Sequence, residues 1–116
     1  MELMTYTLQL KTYLQELKDI FEQNNPPEDR RDNLFFQMVK ENTAPIYDLL
    51  AKWEELALTT IKEHKISVHP NQVMSTRENM ELLLMHSYYI DVRRRRYMEL
   101  HQSVEYVLDQ LLRAIE

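Results

Sequence analysis

No glycine occurs anywhere in the 116 residues, and that absence narrows the fold more than any motif in the chain. Tight hairpins and sheet corners use residues at positive φ, where a side chain is costly, so a glycine-free chain has little turn chemistry for a multi-stranded β fold. Long helices with few connections remain. Apolar residues make up 44% and charged residues 28%, with both signs scattered along the chain, which excludes a disordered polyelectrolyte. This length fits one domain, residues 1–116, burying roughly two thirds of the surface of the unfolded chain.

Periodicity supplies the helices. Leu3, Tyr6, Leu10, Tyr13, Leu17 and Ile20 recur at steps of three and four, and Leu14 and Phe21 widen the stripe. This first helix, about residues 2 to 24, ends at Asn24-Asn25-Pro26-Pro27, where asparagine tolerates a left-handed cap and proline cannot continue a helix. A second pattern, about 28 to 65, keeps one phase through Phe35, Val39, Asn42, Ile46, Leu49, Trp53, Leu56 and Thr60. Pro45 interrupts it by removing an amide donor, and Thr43 is placed to cap a fresh start, so a kink or two abutting segments is expected near 42 to 45. Residues 66 to 74 read as the only substantial loop. Ser75 and Glu78 form a capping-box pattern, after which a third helix has no proline or glycine to stop it before residue 115.

Within that third pattern Ser87, Arg94 and His101 stand seven apart, in the same column as the apolar Met80, Leu108 and Ile115. A polar lane therefore runs along an inward face. A buried unpaired arginine costs several kcal/mol, so the lane has to meet carboxylates, line a wet groove or mark a helix break. With an antiparallel turn between 65 and 75, Arg94 falls near Asp48, and His101 falls opposite Val39, close to Glu41. An interhelical ion-pair layer is the structural expectation. Arg93, Arg94 and His101 as a site for an anion or acidic ligand is the functional alternative. Asp91 and Glu99 are spaced to pair with Arg95, and Glu99 with Arg96.

HSYYIDVRRRRYMELHQSVEYVLDQL (86 to 111), with APIYDLLAKWEELALTTIKEHK (44 to 65) upstream, resembles the YppE-like family of small helical proteins from Bacillus and its relatives. The likeness spans nearly the whole chain. It implies an all-helical bundle in the bacterial cytoplasm and carries over no activity or site.

Chemistry finds few footholds. Without cysteine there are no thiolate nucleophiles, disulfides or thiolate zinc sites, which agrees with a reducing cytoplasm. No apolar run approaches the roughly 20 residues of a membrane span, and a net charge of −5 argues against nucleic acid or an anionic membrane as partner. Glu-x-x-His, needed for a di-iron bundle, is absent. Glu78-x-x-Glu81 and Glu105-x-x-x-Asp109 are similar to the acidic pairs of all-α magnesium-dependent nucleotide hydrolases, but the second spacing departs from that pattern, and an unbroken helix separates the pairs by roughly 40 Å.

The sequence thus gives an all-α, antiparallel up-and-down bundle of three long helices, the second kinked near Pro45 to make four segments. No catalytic residue, cofactor or metal is expected. The best functional expectation is a non-catalytic cytoplasmic interaction or adaptor module, with a protein partner or a homodimer. Helix one is too short to cover the other two, which leaves Trp53, Leu56, Ile61, Met80, Leu83 and Leu84 as an interface, unless the last helix breaks near Asp91 to Arg96 and folds back.

Overall fold

The computed structural model describes residues 2–23, 25–29 and 31–116. It contains four helices, α1 (Glu2–Gln23), α2 (Asn33–His64), α3 (Pro70–Tyr89) and α4 (Arg94–Ile115), and no strand among the described residues. The all-α bundle stands, but its four segments arise differently from expectation. The last pattern is two helices, and α2 runs through Pro45 without a break. Thr43 does not cap a new start; its hydroxyl donates back to the Val39 carbonyl at 2.8 Å. Asn24, expected to cap α1, lies outside the described residues.

Capping chemistry sets the other boundaries. Asp32, and not a residue near 28, opens α2 by accepting the Phe35 amide at 2.9 Å. α3 starts five residues before the Ser75 pattern. Proline at the first helical position has its φ already fixed and no amide to lose, and His69 and Gln72 close a reciprocal box: His69 Nδ1 accepts from the Asn71 amide, and Gln72 Oε1 accepts from the His69 amide. Two helices end on left-handed residues that are not glycine, Lys65 (φ 50°) and Ile90 (φ 50°).

Successive helices are antiparallel. Trp53 Nε1 donates to Thr7 Oγ1 at 3.0 Å, Arg77 meets Glu54, and Tyr97 meets Ser87, which fixes the α1/α2, α2/α3 and α3/α4 registers. α4 returns along α1 from Arg94 beside Glu22 to Asp109 beside Lys11. α1 and α3 touch each other and both remaining helices, whereas α2 and α4 do not meet. The cross-section is a rhombus with α1 and α3 on its short diagonal. α2, at 32 residues, is about 48 Å long and overhangs its neighbours, which reach about 30 to 33 Å.

This arrangement corrects the expected interface. Trp53, Met80, Leu83 and Leu84 are fully buried, Ile61 is buried and Leu56 is partly so. Folding α4 back completes the layer that a continuous helix leaves open. The most exposed large apolar side chain is instead Leu34 at the start of α2, 85% exposed with Phe36 and Met38 beside it in sequence, while Leu8, Met74, Leu82 and Tyr106 are exposed on the other helices.

The left-handed residues give a stability test. An L-residue in this region costs about 1–2 kcal/mol relative to the right-handed form, and glycine avoids that cost while adding some unfolded-state entropy. Lys65 is exposed and contributes no core contact. Lys65→Gly is expected to raise stability in urea by about 0.5–1 kcal/mol, and Lys65→Ala to leave it unchanged.

Candidate functional site

The polar lane separates into a corner and a buried histidine. Ser87 is fully buried near the end of α3, where its hydroxyl donates to the Leu83 carbonyl and shares a 2.6 Å hydrogen bond with Tyr97. Arg93 is the N-cap of α4 and offers no side-chain acceptor to it. Arg94 is largely exposed and pairs with Glu22 of α1 at 2.6 Å, and that bond holds the Glu22 carboxyl below the usual range. The expected pairs of Arg94 or His101 with Asp48 or Glu41 do not form, because α4 lies diagonally across from α2. Asp48 holds Lys52 at 3.0 Å, and Glu41 is exposed with no ion pair among the described residues. Glu99 meets Arg95 and Arg96 as its spacing implies, while Asp91 turns to His86 Nδ1 at 2.6 Å.

His101 is 5% exposed, and its Nε2 has no hydrogen-bond partner among the described residues. Burial depresses its pKa, opposed by Glu105 and Glu22 and reinforced by Lys18. It lies two turns into α4, so the structure does not bring it to Arg93 and Arg94 at an open anion site.

An extended concave surface lies in the groove between α1 and α2. Three connected hollows of about 460, 210 and 350 Å³ run along it. The first and second share Tyr13 and Glu16; the second and third share Ile20, Asn42 and Tyr88. From Tyr6 to Gln23 the groove follows α1 for about 25 Å. Its floor holds Leu17, Ile46, Leu49 and, from α3, Tyr88, whose hydroxyl is raised in pKa by burial. Pro45 and Asp48 form the α2 rim, and Glu16 and Asp19 stand on the α1 side.

The rest of the polar chemistry is dispersed. Asp109 is engaged by Lys11, and among the described residues no group of three His, Cys, Asp or Glu gathers in a metal-holding arrangement. No helix among the described residues is long and apolar enough to cross a membrane.

Residues 7–115 match the family model described as a bacterial domain of unknown function, DUF1798. The chain belongs to the DUF1798 family. Among curated relatives, it is 31% identical over 75 residues to the uncharacterized protein YppE of Bacillus subtilis strain 168; the match covers 64% of this chain and 61% of YppE, so less than two thirds of that relative is spanned. The whole fold is similar to two solved structures of B. subtilis YppE, each at 25% identity. The crystal structure gives a TM-score of 0.80 over 98% of this chain and 92% of YppE, and the solution NMR structure gives 0.78 over 99% and 93%. The YppE-like assignment is thus supported by sequence and fold together.

In this DUF1798 chain the groove residues were the ones the pattern hid. Tyr6, Tyr13 and Ile20 repeat every seven residues and read as core, yet all three remain partly exposed and line the groove, while Leu3, Leu10, Leu14 and Leu17 fill the interior. The available signal was amphipathic character: two of those three positions are tyrosine, which suits a boundary with water.

Two tests follow from the lane. Ser87→Ala strands a buried Tyr97 hydroxyl and is expected to cost about 1–3 kcal/mol, whereas Ser87→Ala with Tyr97→Phe removes both partners and costs less than the single change, a non-additivity readable in a denaturation cycle. The second concerns pH. With its folded-state pKa depressed below the ordinary 6.5, His101 binds protons more weakly when folded, so its contribution to stability is present above pH 6.5 and is lost as pH falls through the folded pKa. Urea melts at pH 7.5 and 5.5 are expected to show a larger acid loss in the wild type than in His101→Leu.

Proposed function

We propose that this chain is a non-catalytic, cytoplasmic protein-interaction module, and that a partner docks along the α1–α2 groove. One observation carries this reading: the groove is continuous over more than four helical turns and presents the part-exposed Tyr6, Tyr13 and Ile20 beside carboxylates. Such a composition suits a protein segment, with the part-exposed Tyr6, Tyr13 and Ile20 for affinity and polar rims for register. Other prominent polar groups are already engaged within the bundle, as Trp53 with Thr7, Ser87 with Tyr97 and Lys11 with Asp109 show. The lack of cysteine suits a reducing compartment. The anion-binding alternative on Arg93, Arg94 and His101 has less support, since Arg94 is engaged by Glu22 and His101 is buried elsewhere.

Photo-crosslinking in the native host tests the docking reading. A benzophenone amino acid at Tyr6 or Tyr13 replaces one aromatic ring with another, and each position is expected to give a discrete adduct. The same group at Gln102, exposed on α4, is expected to give none. Adducts at Gln102 with none at the groove positions would move the interface elsewhere.

A further inference from the structure

The groove's charge is unequally neutralised. Asp48 already has a cation, the Lys52 ammonium at 3.0 Å, whose pKa is raised by that hydrogen bond and charge and, more weakly, by Tyr6. Glu16 and Asp19 on the opposite wall make no ion pair among the described residues; Asp19 accepts only the neutral Gln15 amide. Glu16 lies near the Tyr88 hydroxyl on the floor. One wall is thus self-compensated and the other carries two uncompensated carboxylates above apolar Leu17 and Ile20. Lys52 shows what this surface holds: an ammonium on a carboxylate beside a tyrosine. Tyr13, shared between the first two hollows, offers a similar ring next to Glu16.

We infer that the occupant of the α1–α2 groove is a basic amphipathic helix of a partner protein, its apolar stripe against the part-exposed Tyr6 and Ile20 and its lysines or arginines along one flank, facing Glu16, Asp19 and Tyr13. This rests on the docking reading above and adds the partner's chemistry. About 25 Å of groove admits roughly 17 helical residues, long enough for apolar anchors at i, i+4, i+7 and i+11. Carboxylates beside tyrosine rings favour ammonium and guanidinium groups through charge pairing and the ring face. The chain's net charge of −5 brings such a segment in from a distance.

The test uses the full chain and two labelled 18-residue helical peptides, one of leucine and lysine and one of leucine and glutamate, read by fluorescence anisotropy. The lysine peptide is expected to bind and the glutamate peptide not to. Glu16→Gln with Asp19→Asn is expected to weaken lysine-peptide binding at least tenfold. The control pair Glu63→Gln with Glu116→Gln removes the same charge from exposed positions outside the groove and is expected to change it less than twofold, with circular dichroism melts confirming that all variants fold. Equal loss in both pairs would overturn the assignment as general surface charge, and so would preference for the glutamate peptide. Concentration-dependent self-association abolished by Arg93→Glu with Arg95→Glu would place a second copy in the groove and overturn the partner assignment. Groove crosslinks in cells together with no lysine-peptide binding would leave docking intact and remove only the basic chemistry.

Discussion

Between Tyr89 and Arg94 the chain reverses direction, and the closed bundle depends on that reversal. It is made without glycine, at Ile90, a β-branched residue in the left-handed region that such side chains rarely enter. The local cost is about 1–2 kcal/mol. Against it stand the residues α4 buries by returning. Tyr97, Leu100, Val104, Leu108 and Leu111 all enter the core, each contributing roughly 1.5–3 kcal/mol when fully buried. Burial therefore outweighs strain several-fold. The corner is held at three points: the Ile90 amide on the His86 carbonyl, His86 on Asp91, and Ser87 on Tyr97. Tyr97 also stacks on Phe21 with ring centroids 3.9 Å apart, tying the corner to the end of α1.

Much of the fold was legible because apolar spacing reports which face is buried. The limits of α1 and the phase of α2 follow from it, and so does the inward placement of Ser87 and His101, since the residues around them in the column are apolar. The break after Tyr89 was not legible from local rules. Its cause is tertiary: Ile90 adopts its conformation because α4 then packs on α1 and α3, a gain no window of sequence contains. Four consecutive arginines, which sweep most of a helix circumference, were the indirect sign. At the first turn of α4 they are exposed together, as a continuous helix facing a core would not permit. The start of α3 was missed for a simpler reason. Histidine is an uncommon N-cap, so His69-Pro70 looked like loop, although proline at the first helical position is well suited to begin a helix.

The groove and the reversal share an origin. Because α4 lies on the far side of the α1–α3 diagonal, no helix among the described residues covers the outer seam between α1 and α2. Pro45 sits on that seam with no amide to donate to the Glu41 carbonyl, in a helix that otherwise continues. Outer positions of α1 are left with tyrosine and isoleucine, too apolar for a fully solvated face and too exposed for core. Seven-residue spacing cannot distinguish these cases, since both lie on the apolar side of the helix; only the position of a fourth helix does.

Charge is also divided by the fold. Arginine in the first turn of a helix opposes the macrodipole, by about 0.3–1 kcal/mol for each charge. Glu22 and Glu99 relieve Arg94, Arg95 and Arg96 in part, leaving Arg93 with no ion pair among the described residues. This basic corner adjoins the Glu22 end of α1, whereas Glu16 stands almost two turns away along the groove. At physiological ionic strength fields decay over about 8 Å, so the arginines repel a cation chiefly at the Gln23 end and leave the stretch around Glu16 attractive. On the docking reading, that gradient sets the polarity of the bound segment. Its most basic part belongs against Glu16 and Tyr13, and its less charged end belongs toward Gln23, because the reverse orientation brings like charges together at the corner.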